Sequence, residues 1–197
     1  MRGFCDLLGI EKPIVYGVSF GGSVAQSYAT RHPDHPGKLV LVSTAANNEW
    51  GAVFAAFERL GGVEARQMAE AFWLNPTTEN RWIYREKCHP LYYTTPQRDP
   101  DAAARGIVHD PVSLHFNGRG HEAMRMDFGA ALSRVACPTL VMAGENDPIT
   151  PIGFSEMIAA NLPPHLVQFE RFANCGHGVM HDAPEKLFAR VRAFITT

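Results

Sequence analysis

No apolar run in the 197-residue chain approaches the ~20 residues of a membrane span. The chain carries no C-x-x-C pair either. Its four cysteines, Cys5, Cys88, Cys137 and Cys175, are scattered along its length, which excludes a dense disulfide frame and reads as reduced thiols. Basic residues form no stripe and acidic residues no tail, and the formal net charge is only -2. A nucleic-acid footprint and a solvating acidic segment are both excluded on that ground. The first residues, Met1-Arg2-Gly3-Phe4-Cys5-Asp6, place an acid early and offer no apolar core for a signal peptide. The expectation is a cytoplasmic protein that engages neither membrane nor nucleic acid. No internal repeat and no low-complexity segment interrupts it.

What is present is concentrated in one stretch. Ile14-Val15-Tyr16 leads into Gly17-Val18-Ser19-Phe20-Gly21, and Gly22-Ser23-Val24-Ala25 continues with small residues at helical length. An apolar strand, a G-x-S-x-G turn and a helix in that order form a nucleophile elbow with Ser19 at its tip. Gly17 and Gly21 are expected to let strand and helix approach closely. The Phe20 amide, opening the helix, would then point at the reacting atom as an oxyanion donor.

Around this turn the chain reads helix 1–9, strand 14–16, helix 22–31 and strand 38–43, with Gly9 closing the first helix. Alternation of strand and helix implies a parallel sheet with right-handed crossovers. From Asn47 to about Arg134 the character changes. Trp50, Val53, Phe54, Phe57 and Leu60 recur at helical spacing, Gly61-Gly62 breaks that helix, and a second runs from Val63 to Leu74. A third is expected over 77–88, capped by Asn75-Pro76-Thr77. The stretch 94–120, rich in Pro, Gly, His and Asp, has no assignable period. Sheet pattern returns at 138–144. A helix follows over 151–161 with Thr150 as its N-cap, then strand 166–171 and a last helix over 183–195 capped by Asp182.

Ser19, Asp147 and His177 each follow a strand at its carboxyl end, so a parallel sheet brings all three to one edge. Their order, Ser then Asp then His, is the order that accompanies this elbow. His177 would take the serine proton and return it to the leaving group. Asp147 would fix the imidazole tautomer and stabilise the imidazolium. Alone, Asp147-Pro148 is also a plain turn and His177 between two glycines also a surface loop. Glu145 is an alternative acid. His177 and His181 stand four apart, but no H-E-x-x-H glutamate and no third ligand accompany them, so no metal is expected. Cys175 has no paired base.

These residues make the chain resemble the α/β-hydrolase superfamily, in particular its proline iminopeptidase-like branch. The resemblance rests on residues 15–22, Lys38–Ala45, Cys137–Pro151 and Cys175-Gly176-His177-Gly178. It implies a partial α/β-hydrolase fold: a mostly parallel sheet of about four strands with flanking helices and a helical cap insertion. The core would comprise 1–47 and 135–197, the cap 48–134. It implies a cofactor-free serine hydrolase acting on a small ester or amide, or on a short peptide with N-terminal proline. Esterases, lactonases and C–C-bond hydrolases share these motifs. An iminopeptidase also needs a cap acid for the substrate's amino group, and Glu58, Glu64, Glu70, Glu79, Glu86 and Glu122 are the candidates.

The family usually carries about four strands and a helix before the elbow strand, with a His-Gly-rich loop that supplies a second oxyanion amide. That loop is absent from this sequence. The expectation is a truncated product or a fragment of a longer enzyme, with strand 14–16 an open edge through which copies could pair. The competing expectation is a non-catalytic α/β-hydrolase-like binding protein.

Overall fold

The computed structural model describes residues 1–96, 105–107 and 109–197. Four strands, β1 (Ile14–Val18), β2 (Lys38–Val42), β3 (Thr139–Gly144) and β4 (Val167–Phe172), pair in that order and all in parallel. The central pair reads KLVLV and TLVMAG and is almost wholly buried. A continuous apolar run is what a parallel strand covered on both faces requires.

Side chains alternate between the two faces. Val15, Leu39, Leu41 and Val141 meet α2 (Phe20–Arg31) and α7 (Ile152–Asn161) through Ala25, Tyr28, Ala29 and Ile158. Val40, Val42, Leu140 and Met142 meet α9 (Pro184–Thr196) through Leu187 and Phe194. The second face is covered unevenly. On β1 the residues of that face, Ile14, Tyr16 and Val18, stay 49%, 42% and 36% exposed. The opening helix α1 (Arg2–Leu8) closes at Gly9, whose φ of 64° is left-handed, and it buries only Cys5.

Between β2 and β3 the chain makes a helical excursion. It begins with α3 (Trp50–Leu74), two helical stretches that meet at Gly62, where φ is 78° and ψ -179° leave the helical region, so the break expected at Gly61-Gly62 is present. It continues through α4 (Thr78–Lys87), whose N-cap Thr77 accepts the Asn80 amide at 3.1 Å, and a 3-10 turn, His89–Tyr92. Of the stretch 94–120 without assigned period, residues 97–104 and 108 lie outside the described residues. The rest contains α5 (Asp110–Phe116), and α6 (Glu122–Arg125) follows it. Val53, Phe54, Phe57, Ala69, Phe72 and Tyr84 form the excursion's own apolar cluster. Its ends meet where Asn47 bridges Asp127 and the Phe128 amide donates to the Ala46 carbonyl at 2.8 Å. The following 3-10 turn, Gly129–Arg134, buries Leu132 against α2 and α7.

Candidate active site

Ser19 sits between β1 and α2 with φ 53° and ψ -126°. A non-glycine residue in that region costs about 1–3 kcal/mol, and surrounding contacts must hold it there. They do: the Ser19 amide donates to the Val42 carbonyl at 3.0 Å, and the Ser19 carbonyl accepts Thr44 Oγ1 at 2.7 Å and the Gly22 amide at 2.9 Å. Close approach is enforced by Gly17 and Gly22. A Cβ on Gly17 would fall 2.4 Å from the Gly21 carbonyl oxygen, and one on Gly22 2.4 Å from Thr44 Oγ1. A Cβ on Gly21 meets nothing within 4 Å. The second glycine that matters is thus Gly22, not Gly21, because it is Gly22 that faces the end of β2.

Asp147 follows β3 and His177 follows β4, and the structure brings both to Ser19. The Ser19 Oγ lies 2.9 Å from His177 Nε2, and His177 Nδ1 lies 2.8 Å from Asp147 Oδ2. A carboxylate only accepts, so the Asp147 contact assigns the proton to Nδ1 and leaves Nε2 free to accept from the serine hydroxyl. Asp147 has no solvent exposure, yet its carboxylate is fully engaged. Oδ1 accepts the Ile149 and Thr150 amides, both at 2.8 Å, and Oδ2 accepts Thr150 Oγ1 at 2.6 Å. A buried charge needs such a shell. Thr150 therefore serves the carboxylate rather than capping α7, whose N-cap is Pro151 without a side-chain bond. Glu145, the alternative acid, points to solvent.

The imidazole is packed from above by Tyr92, whose ring centre lies 5.2 Å away at 73°. Tyr92 shares a 2.5 Å hydrogen bond with Tyr84. Burial pushes both phenols above their usual range, so they stay neutral beside His177. Burial also pushes the Cys88 thiol up to about 12, and it raises Cys175. Neither behaves as an activated nucleophile. Among the described residues no group of three His, Cys, Asp or Glu is placed to hold a metal. Phe20 is the first residue of α2, so its amide has no partner inside that helix and faces the serine end of the turn.

A cavity of about 480 Å³ opens at Ser19. Phe20, Trp50, Trp73, Val112, Phe116 and Met126 give it mostly apolar walls, and Asn48, Ser113 and Asn117 add neutral polar groups. Trp50 and Trp73 pack with ring centres 4.9 Å apart and planes tilted by 36°, and Phe20 meets Phe116 edge-on at the same distance. A larger hollow of about 570 Å³ lies between α1 and α2 and is lined by none of Ser19, Asp147 and His177. Of the glutamates considered for an amino-group site, none lines the cavity among the described residues. Glu58 and Glu70 both bind Arg66, Glu122 binds Arg125 and Glu86 binds Lys87. Glu64 and Glu79 are exposed.

Sequence reading missed three contributors: Thr44, Thr150 and Tyr92. For Thr150 a signal existed, since Asp followed three residues later by Thr is a local side-chain-to-backbone pattern. The same residue also fits the cap of the helix that follows, which is the reading the sequence pattern favours. Nothing in the sequence links Tyr92 to His177.

Comparison with known proteins bears on the family and the fold. The chain is 25% identical over 193 residues to a 2-hydroxy-6-oxononadienedioate/2-hydroxy-6-oxononatrienedioate hydrolase of Paraburkholderia phymatum, covering 94% of this chain and 63% of that protein. It is 27% identical over 190 residues to the putative carbamate hydrolase RutD of Caulobacter segnis, covering 91% and 64%. It is 31% identical over 170 residues to a pimeloyl-(acyl-carrier protein) methyl ester esterase of Chromobacterium violaceum, covering 80% and 62%. The chain thus spans somewhat under two thirds of the length of each. The proline iminopeptidase-like branch expected from the motifs has no counterpart among these three. Among solved structures, a thermophilic esterase from Thermogutta terrifontis superposes with a TM-score of 0.65 at 24% identity over 99% of this chain and 69% of its own. VinJ superposes with a TM-score of 0.75 at 20% identity, over 99% and 69%. At these identities the likeness concerns the fold. A family model described as alpha/beta hydrolase fold matches residues 1–184, and the chain therefore belongs to the alpha/beta hydrolase family.

Proposed function

We propose that the protein is a serine hydrolase that cleaves a small, largely apolar ester through an acyl-enzyme on Ser19. The observation that carries this reading is the unbroken line Ser19 Oγ, His177 Nε2, His177 Nδ1, Asp147 Oδ2, with steps of 2.9 and 2.8 Å. His177 takes the hydroxyl proton as Oγ attacks the ester carbonyl, and the Phe20 amide meets the oxyanion. Nε2 then gives the proton to the departing alcohol. Water, deprotonated by the same nitrogen, releases the acid. The apolar walls of the cavity suit an aliphatic or aromatic acyl group. The relatives named above act, by their names, on 2-hydroxy-6-oxononadienedioate or its trienedioate counterpart, a carbamate and a methyl ester.

Release of N-terminal proline is a narrower reading that the motifs suggest. A free α-amino group needs a facing carboxylate, and the glutamates considered for that role stand elsewhere. An ester is therefore the favoured substrate. One oxyanion donor is worth about 3–4 kcal/mol, so turnover by this chain is expected to be slow with Phe20 alone.

The test is hydrolysis of p-nitrophenyl acetate and hexanoate, and of proline p-nitroanilide, by the chain and by Ser19→Ala. Ester turnover above the Ser19→Ala background, with a preference for the longer acyl group, is the expected result. Equal rates in two folded proteins would overturn it and favour a binding protein built on a hydrolase fold.

A further inference from the structure

We propose that Asp182 is a positioning residue for His177, a role that rests on the hydrolase reading above. Sequence pattern makes Asp182 the cap of the last helix. The structure does not: the N-cap of α9 is Ala183, without a side-chain bond. Asp182 ends the single turn α8 (Val179–Asp182), and its carboxylate turns back to the loop that carries the catalytic base. Oδ2 accepts the Gly176 amide at 2.8 Å. On the other side the carboxylate accepts the Thr94 amide through both oxygens at 3.1 Å, the Thr95 amide at 3.1 Å and Thr95 Oγ1 at 2.8 Å. One carboxylate thus joins the residue before His177 to the segment that follows Tyr92.

That segment holds His177 from both sides. The Gly178 amide donates to the Tyr92 carbonyl at 3.1 Å, so the amides flanking His177 are both fastened. There is no slack: a Cβ on Gly176 would lie 2.4 Å from the Tyr92 carbonyl oxygen, and one on Gly178 2.5 Å from the Tyr93 ring. Two glycines around a base give its backbone more freedom than catalysis tolerates. A displacement of about 1 Å is enough to cost on the order of a hundredfold in rate. Hydrogen bonds to an ionised carboxylate are the stronger kind, and here they converge where the freedom must be removed. Partial burial raises the Asp182 carboxyl, but the bonds from Gly176, Thr95 and Thr94 outweigh it and hold the group below the usual carboxylate range.

Asp182→Asn tests this, because it keeps the shape and removes the charge. Three readouts are taken on the whole chain: far-UV circular dichroism for the fold, the rate and final extent of Ser19 labelling by a fluorophosphonate, and the His177 Nδ1 proton resonance by NMR. The expected result is a folded variant that labels to the same extent but on the order of ten- to a hundredfold more slowly, with the Nδ1 proton lost to exchange. Unchanged labelling rate and an unchanged Nδ1 resonance would overturn the proposal, and so would a reduced extent at unchanged rate, which is the mark of a purely structural role. Should Asp182→Asn fail to fold, Thr95→Ala removes one of the donors. It should slow labelling in the same direction by less, and no change would overturn the proposal. If the unmodified chain does not label at all, the hydrolase reading fails. The Nδ1 resonance then decides alone: loss in Asp182→Asn supports the positioning role and persistence overturns it.

Discussion

Gly17 and Gly21 bracket Ser19 symmetrically in sequence and are not equivalent in space. The β-carbon of an alanine at 17 would meet the Gly21 carbonyl oxygen at 2.4 Å, a backbone atom that cannot swing away, whereas position 21 is open. Gly17→Ala should therefore destabilise the chain by about 1–3 kcal/mol, the usual cost of overpacking. Gly21→Ala should be neutral or stabilise by up to about 1 kcal/mol, since alanine is the better helix former. Urea unfolding of the two variants checks the pair. The same asymmetry shows how far single residues were legible. Ser19, Asp147 and His177 were readable because each follows a strand end in a fixed order. Which glycine touches which neighbour, and that Thr150 and Asp182 spend their polar atoms on loops rather than on helix ends, depends on distances across the sheet that no local pattern encodes.

Elements were legible where period and punctuation agreed. All four strands and the helices α2, α7 and α9 fall within two residues of their expected bounds. The break in α3 was legible as well, because Gly61-Gly62 marks it and the backbone leaves the helical region at Gly62. The element with the most direct consequence is β1, an outer strand whose second face is bare at Ile14, Tyr16 and Val18. An apolar strand edge templates pairing with another chain. Tyr16→Lys places a charge on that strand and should lower self-association without touching the site. Sedimentation velocity over a range of concentrations would read it as a smaller fraction of dimer and larger species. An unchanged distribution would remove β1 from the contact.

At the scale of the molecule, surface ion pairs such as Arg66 with Glu58 and Glu70 are more than a third exposed and contribute little to stability. Asp182 is different in kind, since it ties the His177 loop to the helical excursion. Its carboxyl titrates lower folded than unfolded. The stability it contributes is therefore present above the unfolded carboxyl value of about 3.9 and is lost as pH falls through the folded one. Thermal midpoints should fall less steeply between neutral and acid pH for Asp182→Asn than for the unmodified chain. Parallel slopes would refute the assignment. The architecture as a whole was legible because alternating strands and helices admit few arrangements. The uneven cover of the sheet was not, because it depends on which strand faces which helix.

Two of the three tryptophans, Trp50 and Trp73, pack against each other in the wall of the cavity at Ser19, while Trp82 lies on the surface, 53% exposed. The molecule thus separates its own emission into a sheltered, blue component at the site and a wet, red one outside its lining. An occupant of the cavity changes the first and leaves the second as an internal standard, so filling of the site can be followed by light alone, without turnover and without a label.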